Sequence, residues 1–79
     1  MRLNVSRDDF DDDQLARACA GLSGACAALL TMQHRYKKIN APETVEELRL
    51  DEDAIGFVLG LLLREQIERR KDDQELAKP

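Results

Sequence analysis

The chain has 79 residues and a net charge of −4, with charged side chains at 35% of positions and aromatic ones at only 4%. That length allows one domain near the lower limit of a self-sufficient core. A composition rich in Leu, Ala, Glu, Arg and Lys disfavours sheet and predicts an all-α fold, and mild acidity argues against a nucleic-acid-binding face.

The N-terminal stretch is too polar for a secretion signal, and two cysteines without such a signal point to a reducing compartment, so a cytoplasmic location is expected. The uncharged run from Ala18 to His34 is shorter than the roughly 20 apolar residues of a membrane span, which argues against a membrane role.

Residues 1–10 read as an N-terminal arm, with Leu3 and Val5 alternating with polar neighbours. A first helix is predicted over 11–39. Asp11 is the preferred N-cap, because Gln14 follows three residues on and Phe10 and Leu15 flank it as a hydrophobic staple. A turn beginning at Ser6 is the competing start. Leu15, Leu22, Leu29 and Tyr36 recur at steps of seven, with Ala18, Ala25, Met32 and Ile39 at the offset positions and Cys19 and Cys26 beside them. This is a heptad-like seam whose second column is small. Asn40 and Pro42 should end the helix.

Residues 42–50 are expected to form a connector with a short helix of its own, opened by Pro42 and acids in its first turn. Asp51 then caps a second helix over 51–76. Its apolar rows hold Ile55, Val58, Leu59, Leu61 and Leu62, with Gly56 and Gly60 at their edge. Beyond Ile67 the sequence is polar on all sides, so a solvated end is expected. Acids at the start of each helix and bases near its end match each macrodipole and favour an antiparallel hairpin.

Two uncharged islands, Ala18 to His34 and Ala54 to Leu63, exceed what one hairpin can bury. Large exposed apolar patches are avoided by monomers, so a partner is implied. Pairing into a dimeric four-helix bundle is the economical solution, because two-fold homodimers are the commonest oligomers; a larger hetero-partner is the competing one. The expected core or dimer seam is Leu22, Ala25, Cys26 and Leu29 facing Leu59 and Leu62 across Gly56 and Gly60. On that reading, Gly60→Leu would overpack the seam. The candidate partner surface is Asp8, Asp9, Asp12 and Asp13 with Glu43, Glu46 and Glu47.

Chemistry is sparse. His34 is the only histidine and lacks an acid within helical reach. Cys19 and Cys26 stand about 10 Å apart along one helix, too far for a mutual disulfide and without zinc-site spacing. The run Asp8 to Asp13 lacks the glycine of a calcium loop. No catalytic residue, metal or cofactor is expected, and the chain is not predicted to be an enzyme. The leading expectation is a protein–protein interaction module: a small adaptor, chaperone-like subunit or inhibitor of a larger protein that acts by surface occlusion. The alternatives are an acidic inhibitor of a nucleic-acid-binding complex, such as a mobile-element anti-defence protein, and a DNA-binding regulator using Arg69, Arg70 and Lys71.

Overall fold

A computed structural model describes residues 6–77. Among them it shows two α-helices and no strand: α1, Asp12–Lys38, and α2, Pro42–Ala77. The all-α class and the helical hairpin are therefore shown. Arg69 of α2 donates to Asp12 at the start of α1 over 2.9 Å, and Gln33 near the end of α1 donates to Glu52 over 3.3 Å. These two contacts fix the helices as antiparallel.

The start of α1 follows from its side chains. Asp11 accepts from the Gln14 N–H at 2.8 Å, and the Gln14 side chain accepts from the Asp11 N–H at 2.9 Å. This reciprocal box satisfies two donors that a helix start would otherwise leave open. Phe10 packs beside Leu15 as the expected staple. Ser6 also acts locally, because the Asp9 and Phe10 N–H groups both donate to its carbonyl. The result is one isolated turn, with an i→i+4 bond at Phe10, that does not run on into α1. Of the predicted arm, residues 1–5 lie outside the described residues.

The reversal uses very few residues. Ala41 N–H donates to the Tyr36 carbonyl at 3.0 Å and Asn40 N–H to the Lys37 carbonyl at 3.1 Å. That crossed pair is the Schellman arrangement, and its C′ residue is Asn40, in the left-handed region at φ 59°. Asparagine tolerates this conformation better than other non-glycine residues. Pro42 follows at the first position of α2, where its missing N–H leaves no donor unsatisfied.

The predicted connector and its break before Asp51 are absent, and α2 runs unbroken for 36 residues. Two physical reasons account for this. No glycine or proline interrupts Glu43 to Ile55. Arg49 also clamps the supposed break, bonding Glu46 three residues before it and Asp53 four residues after it. Val45, Leu48 and Leu50, the apolar residues that the connector would have set against the end of the core, belong to the long helix instead; Leu48 is buried and Val45 half-buried, but Leu50 is 54% exposed and closes nothing.

The seam alternates steps of four and three on both helices. On α1 it is Leu15, Cys19, Leu22, Cys26, Leu29, Gln33 and Tyr36; on α2 it is Leu48, Glu52, Ile55, Leu59, Leu62, Gln66 and Arg69. None of these side chains is exposed. The second column of α1 is thus Cys19, Cys26 and Gln33, whereas Met32 and Ile39 of the offset set point outward. Leu15, at 1% exposure, is the best-buried residue and clusters with Cys19 and Leu62.

The molecule is a rod of 60 × 19 × 18 Å with a radius of gyration of 16.8 Å, against roughly 12 Å for a compact domain of this length. Replacing Asn40 by Gly should leave the urea midpoint unchanged or slightly raised. Asn40→Val should lower stability by about 1–2 kcal/mol, the strain of a branched side chain in the left-handed region. Equal midpoints for the two variants would remove the turn as the hinge of the hairpin.

Candidate interaction surfaces

The antiparallel pairing places the two acidic clusters far apart. Asp8, Asp9, Asp12 and Asp13 lie at one end of the rod, beside the last turns of α2. Glu43, Glu46 and Glu47 lie at the other end, at the start of α2. All are exposed. The length of α1 separates the clusters by about 40 Å, so they cannot form one continuous partner surface.

At the first end the acids have work inside the fold. Arg69 is 4% exposed and Glu65 is 3% exposed. The Arg69 Nε donates to Glu65 Oε1 at 3.1 Å and its Nη1 to Asp12 Oδ1 at 2.9 Å. Its Nη2 is buried with no hydrogen-bond partner among the described residues. Arg7 then ties the N-terminal turn down, donating to Asp73 at 2.9 Å and to the Arg69 carbonyl at 3.1 Å. The bond to Asp73 leads in holding the Arg7 guanidinium above its ordinary, already high pKa. The polar end of α2 is therefore docked at Arg69 and Asp73 rather than wholly solvated. A signal for this existed in the sequence: Glu65 and Arg69 stand four apart, and the seam spacing from Leu62 runs on through Gln66 to Arg69.

At the opposite end Arg49 grips Glu46 with two bonds, of 2.6 and 3.0 Å, and Asp53 with one of 2.9 Å. Hydrogen bonding from Arg49 is the main reason the Glu46 carboxyl sits below the usual carboxylate range. Glu43 and Glu47 carry no such clamp among the bonds described.

Between the ends the surface is apolar. Phe57 is 63% exposed, and Leu50, Val58, Leu63 and Ile67 of α2 are exposed with it, as are Leu30 and Met32 of α1. Leu22, Ala25, Cys26, Leu29 and Leu59 are half-buried and Leu62 is buried; the hairpin itself takes up this part of the expected seam. Gly56 and Gly60 lie outside it. A Cβ built on either glycine, or on Gly21 or Gly24, would meet nothing within 4 Å. The glycines therefore do not mediate approach of α1 to α2, and a side chain at Gly60 starts into open space rather than into the hairpin.

Cys19 is buried, which raises its thiol pKa, and Cys26 is half-buried. His34 is exposed. Among the described residues, no three His, Cys, Asp or Glu side chains converge to hold a metal. A cleft of about 190 Å³ lies beside Arg69, lined by Asp12, Leu15, Gln66, Arg70 and Asp73 among others. That is below the roughly 300–1,000 Å³ of small-molecule sites. By length and composition, α1 is also apolar enough to cross a membrane, and little of it is buried in the hairpin. Set beside protein-family models, curated proteins and solved structures, the chain matches none.

Arg69→Ala should cost about 3 kcal/mol or more in urea unfolding, because it leaves the Glu65 carboxylate buried beside fewer donors. The paired change Arg69→Met with Glu65→Leu should recover most of that loss. A single variant as stable as the parent would show that the cluster is not buried in solution.

Proposed function

We propose that the chain is a non-enzymatic protein–protein interaction module, a small adaptor, chaperone-like subunit or inhibitor that works by covering part of a larger protein. The observation that carries this reading is the apolar surface left outside the hairpin by Leu50, Phe57, Val58, Leu63 and Ile67. Contiguous exposed apolar surface is characteristic of contact sites, and these side chains are what α2 offers to one. Pairing of two hairpins into a dimeric four-helix bundle belongs to the same reading. It would cover apolar flanks and leave the charged ends of the rod for a partner. A cytoplasmic setting fits the two free thiols.

The exposed acids at each end support the alternative of an acidic inhibitor of a nucleic-acid-binding complex, now as two separate acidic tips. The DNA-binding alternative loses support. Arg69 is buried against Glu65 and Asp12, and Lys71 lies 3.9 Å from Glu68, which leaves Arg70 as the most available base of that trio.

Light scattering of the purified chain across a wide concentration range tests the reading. A dimer near twice 9.0 kDa is expected at micromolar concentration. A chain that stays monomeric and binds labelled duplex DNA, with affinity falling steeply as salt rises, would replace this reading with the DNA-binding one.

A further inference from the structure

We propose that the side of α2 facing away from α1 is a docking face, and that its partner is a basic amphipathic helix of another protein, laid along Leu50, Ala54, Phe57 and Leu61. This rests on the interaction-module reading and names the chemistry of the surface that the module covers.

The seam fixes where these side chains stand. Leu50 lies two residues after Leu48 and two before Glu52, and Phe57 lies two after Ile55 and two before Leu59. With about 3.6 residues per turn, each is turned about 200° from its seam neighbours, onto the opposite side of the helix. Ala54 and Leu61 follow Leu50 and Phe57 by four residues and share their row. The four side chains therefore repeat at steps of four, three and four along one line about 17 Å long. Leu50 is 54% and Phe57 63% exposed, Ala54 is exposed and Leu61 half-buried. In a two-helix pair this outer side meets water and is normally polar. The outer side of α1 is not built this way, because Arg17, Gly24, Thr31 and Lys38 stand at the equivalent positions. A second four–three row, on α2 alone, is the pattern that receives one more helix.

The charge beside the row selects that helix. Glu46 and Glu47 stand four and three residues before Leu50, and Glu43 stands seven before it. Asp53 lies three after Leu50 and four before Phe57. These four acids share the outer side of α2 with the row. From Glu43 to Leu63 the only base is Arg49, and it is already bound to Glu46 and Asp53. The face stays negative with Arg49 counted, and Arg64 stands beyond the far end of the row. A helix with apolar side chains at four–three spacing and Lys or Arg beside them matches both the row and its charge. A second copy of this face would set the same acids against them. An anionic lipid surface attracts bases rather than acids.

The test is fluorescence anisotropy on the full chain at about 0.15 M salt, where the Debye length is about 8 Å. The probe is a labelled synthetic helix of about 18 residues, with Leu at four–three spacing and Lys at its other positions. Its twin carries Glu in place of Lys. The Lys helix should bind at least about tenfold more tightly than the Glu helix. Phe57→Asp should weaken that binding at least about thirtyfold, with helical circular dichroism retained because this side chain lies outside the seam. The direction of the change is what discriminates: the substitution makes the face more acidic, so attraction by charge alone would strengthen. Leu76→Asp adds the same charge off the row, at 84% exposure, and should leave the affinity within about twofold. Equal affinity for the two helices, or a Lys helix that binds Phe57→Asp as well as the parent, would overturn the assignment. Failure of both helices to bind would overturn it too. Light scattering then decides the broader reading separately, which a dimer keeps and a lasting monomer removes.

Discussion

Two helices packed side by side can shield only one stripe of each from water, and that limit governs this molecule. The four–three rows beginning at Leu15 and Leu48 fill the available stripe along the length of α1. Every further apolar residue of the central region must then stand on a flank. This is why Phe57, Leu63 and Ile67 are exposed while Leu59 and Leu62, a few residues away, are covered. The geometry of the pair, rather than a lack of hydrophobic residues, leaves the surface apolar. The few buried apolar side chains among the described residues, Leu15, Cys19, Leu48 and Leu62, make a small core for a chain of this size.

The end of the seam beside the start of α1 is closed by charge instead of hydrocarbon. Arg69 occupies the seam position where an apolar row would continue, and it is held by one acid from its own helix and one from α1. A buried ion pair contributes little net stability once desolvation is counted, but a misplaced one is costly. Its value is in rejecting alternatives: a shift of α2 by one turn would strand the guanidinium away from Asp12. The tight turn at Asn40 sets the register at one end, and this cluster sets it at the other.

Helix class, the Asp11 cap, the position of the turn and the first column of the α1 seam were legible in the sequence because each depends on residues near one another in the chain, whereas the second column proved to be Cys19, Cys26 and Gln33 rather than the offset set that ends in Met32 and Ile39. Leu15, Leu22, Leu29 and Tyr36 declare the stripe by spacing alone. The continuity of α2 was hidden because Asp51, Glu52 and Asp53 look like a helix start. Acids favour first turns through the macrodipole, but the same acids inside a helix can be satisfied by a neighbouring arginine, and Arg49 satisfies one of them. The seam role of Glu52 and Arg69 was hidden for a related reason, since a charged residue on an apolar row reads as its end. The glycines were legible as an anomaly but not as a location. Periodicity states which residues share a face of one helix; which face meets the other helix depends on the pairing.

That last distinction links the fold to the proposed role. Glycine at Gly56 and Gly60 weakens α2 on its own, and the hairpin gains no contact in exchange. In a proposed dimer folding and association become parts of one equilibrium. The stability of such a chain rises with its concentration, because the associated state draws the folded one with it. Any protein that competes for the apolar middle would then act on the oligomer and on the folded population together. A partner that engages only the acidic tips would leave both unchanged. The fold places exposed apolar side chains in the middle of the rod and exposed acids near its two ends, so on the proposed reading a partner of the middle and a partner of the ends would meet different chemistry.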